Sequence, residues 1–128
     1  MDYYFNKTIE DNFDHAKERV IESLKTEGFG VLTEIDVKAT MKKKLDADLY
    51  NYYILGACNP PAAYQAIQAE DKIGTMLPCN VILQEKVPGK VEVSAVDPAA
   101  SMQAIDNPKL SAIAIEIRAK LQRVIEKI

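Results

Sequence analysis

The chain has few of the residues that build metal and catalytic centres, with two cysteines and one histidine among its 128 residues. A closed zinc site usually takes four ligands from cysteine and histidine, so the chain cannot supply the usual set alone. The histidine, His15, stands beside Asp14 and outside the apolar stripe of its predicted helix. We therefore expect His15 to be exposed and to belong to no catalytic triad.

Long apolar runs and an excess of basic charge are also absent. No run approaches the roughly 18 apolar residues of a membrane span, and the opening MDYYFNKTIE lacks the basic and apolar regions of a signal peptide. We therefore expect a cytoplasmic protein, in which two cysteines are more often thiols than a disulfide. The net charge of −3 gives no general attraction to phosphate backbones or anionic lipid, so neither nucleic acid nor a membrane is an expected partner.

The sequence does contain enough apolar material for one hydrophobic core. Apolar residues make up 48% of the chain and charged residues 27%, which is typical of a single globular unit of this length. No internal repeat or low-complexity linker divides the chain. We expect one domain over residues 1–128.

One stretch, Ile54 to Leu83, organises the rest of the chain. It predicts a buried strand, a helix, a turn and a second buried strand, and a cysteine-asparagine pair marks each strand (Cys58-Asn59 and Cys79-Asn80). Asn59 suits the N-cap of the helix, and the prolines that follow it need no hydrogen-bond acceptor in the first turn. Gly74 can end the segment. The helix is predicted over about residues 60–71.

The remaining elements form a mixed α+β pattern with an antiparallel sheet of about five strands packed on helices. Hydrophobic alternation and capping residues indicate the order strand, helix, two strands, helix, strand hairpin and long terminal helix. Short connections and the hairpin favour antiparallel pairing with the helices on one face. The predicted elements are a strand ending near Thr8, a helix capped by Asp11, a strand over 29–38 with Val31, Thr33 and Ile35 on one face, a short helix or crossover over 39–45, strands over 49–58, 79–85 and 91–96, a short turn of helix over 99–104, and a helix from Asn107.

The last helix has an unbroken apolar stripe that includes Ile117 and Leu121. This i, i+3, i+4, i+7 spacing is typical of a helix docked on a sheet. Ile115 lies off the stripe, which suggests a second contact with a partner subunit.

Four segments, GFGVLTEIDVKATMKKKL, ILGACNPPAAYQAIQAEDKIG, MLPCNVIL and VSAVDPAASM, resemble the family catalogued as domain of unknown function 302. The resemblance covers nearly the whole chain, and the paired ACNP and LPCN motifs are its most specific part. It implies a TATA-binding-protein-like β-α-β4-α fold with a helix inserted in the sheet connection, often as a homodimer. A ferredoxin-like fold is the alternative for the predicted α+β class. It implies no established activity.

The two thiols form the first candidate site. Cys58 and Cys79 flank the central helix, and the free amides and dipole of a helix N-terminus favour a thiolate, which can serve redox chemistry or bind a metal. Cys58 fits this hypothesis better, because it directly precedes the predicted N-cap. The alternative is that both cysteines are small buried packing residues in apolar strands.

The second candidate is a polar pocket for a small ligand or an acid–base pair. Its alternative is a surface ion cluster with two asparagines that satisfy local backbone. The residues of the predicted pocket are Glu34, Asp36, Lys38, Asn59 and Asn80.

Neither candidate site identifies a specific reaction, metal or cofactor. We therefore expect first a small-ligand-binding or interaction module. A thiol-dependent redox or metal-handling protein comes second, and an enzyme that uses carboxylates comes third.

Overall fold

The computed structural model describes residues 2–128, which contain five strands and five α-helices. The strands are β1 (Tyr4–Glu10), β2 (Gly30–Asp36), β3 (Asn51–Cys58), β4 (Cys79–Val87) and β5 (Lys90–Val96). The helices are α1 (Phe13–Thr26), α2 (Val37–Leu45), α3 (Pro60–Ala69), α4 (Pro98–Ser101) and α5 (Pro108–Lys127), and a 3₁₀ helix (Asp71–Met76) follows α3.

The five strands form one antiparallel sheet in the order β1-β5-β4-β3-β2. Helix α1 connects the two edge strands, and the chain then returns strand by strand across the sheet. This arrangement confirms the expected α+β class and the β-α-β4-α order. A ferredoxin-like fold alternates β-α-β-β-α-β, whereas here four strands follow α1 and a helix ends the described chain.

Helices α1 and α5 pack on one face of the sheet, where they cover the inward side chains of the strands. Leu55, Leu83 and Val93 are fully buried on this face, and Leu121 of α5 lies among them. No helix of residues 2–128 is both long and apolar enough to cross a membrane.

The burial on α5 confirms the predicted apolar stripe: its buried residues are Leu110, Ala114, Ile117, Leu121, Val124 and Ile125.

A β-bulge at Leu32 overturns the predicted pattern of β2. Val31 pairs with Ala57 and Thr33 pairs with Gly56, so Leu32 is an extra residue without a partner on β3. Such an insertion reverses the faces beyond it. The prediction that Val31, Thr33 and Ile35 share one face is therefore wrong: Val31 faces the helices, and the other two residues face the opposite side.

The ends of β2 and α3 also differ from the prediction, each for a local reason. Strand β2 ends at Asp36, since the Asp36 carboxylate accepts a hydrogen bond from the Ala39 amide at 2.9 Å and starts α2 there. Helix α3 ends at Ala69, because the backbone of Glu70 is extended. Gly74 consequently lies inside the 3₁₀ helix instead of ending α3.

The sequence predicted Asp11 as the N-cap of α1, and this prediction is wrong: the N-cap is Asn12. The Asn12 side chain accepts from the His15 amide at 2.8 Å. The Asp11 carboxylate instead contacts the His15 ring at 2.6 Å and Arg19 at 3.1 Å. The hydrogen bond from His15 is the main cause that lowers the pKa of Asp11. His15 itself is exposed, as expected.

Glu27, at the end of α1, joins α1 to α5 through two ion pairs. Its carboxylate accepts from Arg123 at 2.9 Å and from Lys127 at 2.6 Å. Hydrogen bonds from Arg123 and then Lys127 lower the pKa of Glu27 from 4.5 to about 2. The folded state therefore favours the ionised carboxylate more than the unfolded state does.

We expect this ion-pair cluster to give a stability contribution that is complete above pH 4.5 and is lost as the pH falls towards 2. Urea unfolding at several pH values should show a steeper loss over this window for the wild type than for Glu27→Gln. Glu22→Gln, which changes an exposed carboxylate of the same helix, should keep the wild-type profile. Parallel profiles for wild type and Glu27→Gln would refute this role.

Candidate functional site

The buried apolar residues within residues 2–128 form two clusters. The larger lies between the sheet and helices α1 and α5. The smaller joins α3 and the 3₁₀ helix to α4 and α5, and its buried members are Ala66, Ile73, Met102, Leu110 and Ala114. The two clusters meet at the end of the sheet where β3 leads into α3.

A cavity of about 350 Å³ lies where the two clusters meet. Ala57 and Cys79 line it from the sheet, and Ile117 lines it from α5; all three belong to the larger cluster. Ala66 and Ala114 line it from the smaller cluster. A well-packed interior contains few voids larger than a water molecule, so this volume is a feature of the fold that needs a cause.

The cause is the small side chains of α3. Ala62, Ala63 and Ala66 all line the cavity, and they lie on one side of the helix because residues three and four apart share a face. A methyl group is too short to fill the space between α3 and the sheet. The helix therefore covers the end of the core without filling it.

The cavity opens to solvent between β2 and α3. Leu32 and Ile67 line it and are 66% and 44% exposed, and Gly74 in the 3₁₀ helix is also an exposed lining residue. The bulge in β2 makes Leu32 an unpaired, exposed residue at this edge. Bulges commonly redirect a side chain next to a functional site.

The described wall of the cavity has one strongly polar side chain, that of Asn59, and no charged one. Asn59 is buried, and both ends of its amide are used: the oxygen accepts from the Ala62 amide at 3.3 Å and the nitrogen donates to the Glu27 carbonyl at 3.3 Å. The expected N-cap is thereby confirmed. Asn59 therefore holds the wall together and offers little to a ligand.

Both thiols line this cavity, and both are free cysteines. Burial, followed by the nearby Cys58 charge, raises the pKa of Cys79 to about 11, so its thiol stays protonated at neutral pH. The sheet register pairs Cys79 with Ala57, which places neighbouring Cys58 on the alternate face of its strand.

The first turn of α3 has no free amide to donate to a Cys58 thiolate. Pro60 and Pro61 have no N–H, the Ala62 amide bonds the Asn59 side chain, and the Ala63 amide bonds the Asn59 carbonyl at 2.9 Å. The expectation that free helix amides activate Cys58 is therefore not met. The same prolines that mark the helix start in the sequence remove these donors.

The family model "domain of unknown function DUF302" matches residues 5–128. The chain belongs to the DUF302 family. Its fold is also that of a solved structure, an uncharacterized conserved DUF302 protein from Bacillus stearothermophilus, with a TM-score of 0.90 and 26% identity over 99% of this chain and 98% of that one. No curated protein matches the sequence.

The polar candidates of this DUF302 chain do not meet in one pocket. Glu34 accepts from the Tyr53 hydroxyl at 3.0 Å, Asp36 caps α2, and Lys38 donates to the Leu49 carbonyl at 2.7 Å. Asn80 is exposed on the sheet face that lacks helices. The predicted cluster of these residues with Asn59 is not formed, because local backbone groups and neighbouring strands hold each of them separately.

Sequence reasoning located the cysteines at the DUF302 cavity but missed most of its wall. The missed residues are apolar: Leu32 at the bulge, the alanines of α3, and the residues of α5 that face them. The one signal in the sequence was the run of alanines after Asn59, which is unusually small for a helix that must cover a core. No polar motif accompanies it.

Proposed function

We propose that this DUF302 protein binds one small, uncharged and mainly apolar molecule in the cavity beneath α3. The observation that supports the proposal is an open cavity of about 350 Å³ with an almost wholly apolar wall. Ligand sites of proteins start at roughly 300 Å³. An engineered cavity of about 150 Å³ holds benzene, so in proportion this one suits a ligand of about 14 non-hydrogen atoms.

The chemistry of the wall selects against charge. An ionised group taken from water into an apolar site without a partner loses much of its solvation energy. One N–H and one lone pair of the Asn59 amide are already used by Glu27 and Ala62, and no charged side chain lines the cavity, so little remains to compensate a charge. We therefore expect an alkyl or aromatic body inside the cavity, with any hydroxyl of the ligand at the mouth beside Leu32 and Ile67.

The absence of tryptophan makes a direct binding test possible. Leu32→Trp introduces a single tryptophan at the mouth, which can be excited selectively over the six tyrosines, and Tyr64→Trp places one on the exposed side of α3, away from the cavity wall. Titration with 1-decanol should change the fluorescence of the first variant saturably and leave the second unchanged. Decanoate, which has the same chain length and a charge, should bind at least about tenfold more weakly. Equal responses of both reporters, or no saturation, would contradict the proposal.

A thiol-dependent redox or metal-handling role is the second candidate, because both cysteines line the same cavity. A protonated Cys79 and the missing amides near Cys58 give this role less support. Within residues 2–128 no group of three or more His, Cys, Asp or Glu side chains is placed to hold a metal ion.

Iodoacetamide labelling near pH 7 tests the thiol role. Half-buried Cys58 should react faster than buried Cys79, whose high pKa leaves little thiolate. In urea the two rates should become similar. Labelling of Cys58 faster than a free model thiol would support the redox role, and negligible labelling of both in the folded protein would exclude it.

We also propose that the protein forms a homodimer through the sheet face that lacks helices. Tyr52, Ile54 and Ile82 are half-buried on this face, and its Lys86–Glu92 pair at 3.2 Å neutralises itself. Five strands of about seven residues give the sheet a projected area of about 570 Å². This area is of the same order as the roughly 800 Å² of accessible surface that each partner buries in a standard interface. A second copy would meet no net charge of the same sign.

Sedimentation should therefore give about twice the chain mass at micromolar concentration. Ile54→Lys should produce a folded monomer. Ile115→Lys is the matched control, since Ile115 is 63% exposed on α5, away from the sheet face. A wild-type monomer would remove the proposal, and a monomer caused by Ile115→Lys alone would move the interface to α5, as the sequence suggested.

A further inference from the structure

We infer that residues 60–76, which comprise α3 and the 3₁₀ helix, act as a lid over the cavity, and that two asparagines latch its two ends. The inference rests on the proposed function only for the purpose of the opening, which is to admit a ligand. The latches themselves are properties of the chain without ligand.

The lid is attached to the rest of the fold by few buried side chains. Helix α3 has one buried residue, Ala66, and the 3₁₀ helix has one, Ile73. Tyr64 is 67% and Ile67 44% exposed. Segments with few buried apolar contacts open at lower free energy than the core does, so the lid is suited to local opening.

Asn59 latches the start of the lid to the turn between α1 and β2. Its side-chain nitrogen donates to the Glu27 carbonyl, while its oxygen caps α3. The turn comes close enough that a Cβ added at Gly28 would lie 3.1 Å from the Asn59 nitrogen. Gly28 also has φ +82°, so a glycine at this position serves both the turn and the latch.

Asn107 latches the end of α3 to the start of α5. Its side-chain nitrogen donates to the Ala69 carbonyl at 2.8 Å and to the Glu70 carboxylate at 3.3 Å. Its oxygen accepts from the Lys109 and Leu110 amides and caps α5. Both latches thus use the same division of labour: the oxygen caps the helix that the asparagine starts, and the nitrogen reaches a separate turn.

This division of labour allows a substitution that removes the latch and keeps the cap. Aspartate retains the capping oxygen and lacks the donating nitrogen. Asn107→Asp and Asn59→Asp therefore break the latches selectively, and Asn107→Ser, which also caps, repeats the test without added charge. Asn12→Asp is the control, since Asn12 caps α1 far from the lid in the sequence.

Amide hydrogen exchange of the ligand-free protein tests the lid. We expect wild-type peptides within 60–76 to exchange faster than those of β4 and β5. Asn107→Asp and Asn107→Ser should each speed exchange in the lid by about tenfold, the effect of losing about one hydrogen bond, without change in the strands. Asn12→Asp should leave the lid unchanged. Lid protection equal to that of the strands, or acceleration spread over the whole chain, would overturn the inference.

Ligand kinetics separate this inference from the proposed function. In the Leu32→Trp background, Asn107→Asp should speed both association and dissociation of 1-decanol by similar factors. If the lid exchanges as expected but the protein does not bind decanol, the proposed function is refuted and the lid inference stands. If Asn107→Asp binds decanol with unchanged association and dissociation rates, the lid inference is refuted and the proposed binding site stands.

Discussion

Replacing Leu121 by alanine is expected to lower the free energy of unfolding by about 2–5 kcal/mol. Leu121 is fully buried in the larger cluster, and Ile117, one turn earlier on α5, is 6% exposed. Truncation removes apolar contacts with the sheet and leaves a cavity that the surrounding strands cannot close. Ile117→Ala should give a loss in the same range. Urea unfolding monitored by circular dichroism measures both.

Ile115→Ala provides the matched control on the same helix. Ile115 is 63% exposed, so its truncation should change the free energy of unfolding by less than about half a kcal/mol. Losses below that value for both Leu121→Ala and Ile117→Ala would contradict the docking of α5 on the sheet.

Filling the cavity from α3 is expected to weaken the binding of 1-decanol by about a hundredfold or more. Ala63 lines the cavity and is half-buried, so Ala63→Phe puts an aromatic ring where the ligand is proposed to lie. Filling a cavity commonly stabilises a protein by about 0.5–2 kcal/mol, so the variant should be at least as stable as the wild type. Titration calorimetry and urea unfolding give the two readouts.

The control for the filling experiment lies two residues further along the same helix. Gln65 is exposed and does not line the cavity, so Gln65→Phe adds the same ring to α3 and should leave binding unchanged. Wild-type affinity in a folded Ala63→Phe protein would show that the ligand binds elsewhere. Loss of binding in both variants would point to a general effect on α3.

The sequence was most informative where one residue decides one local structure. Asn59 followed by proline predicted the start of α3, and the stripe through Ile117 and Leu121 predicted the buried face of α5, because capping and helical periodicity act over a few neighbouring residues. The bulge at Leu32 was missed. A one-residue insertion between paired strands depends on the partner strand, which the periodicity of a single segment does not report.

The site was harder to predict because it is an apolar cavity and contains no polar motif. Polar and nucleophilic residues can be recognised in a sequence, and two of them, Cys58 and Cys79, do line the cavity. The predicted polar pocket combined Glu34 with Asn80, which the strand pairing places on opposite faces of the sheet. The alanines of α3 create the cavity only because α3 packs on α5 at a fixed distance from the sheet, and that distance is a property of the tertiary fold.

A crystal structure of the protein soaked with 10-bromo-1-decanol would test the central claim most directly, because the anomalous signal of bromine locates the ligand independently of its flexible chain. The account predicts one bromine peak inside the cavity, among Ala66, Ile113 and Cys79, with the hydroxyl towards Leu32. Bromine found only in the groove on the open sheet face beside Tyr4 and Tyr52, or an empty cavity at saturating ligand, would contradict it.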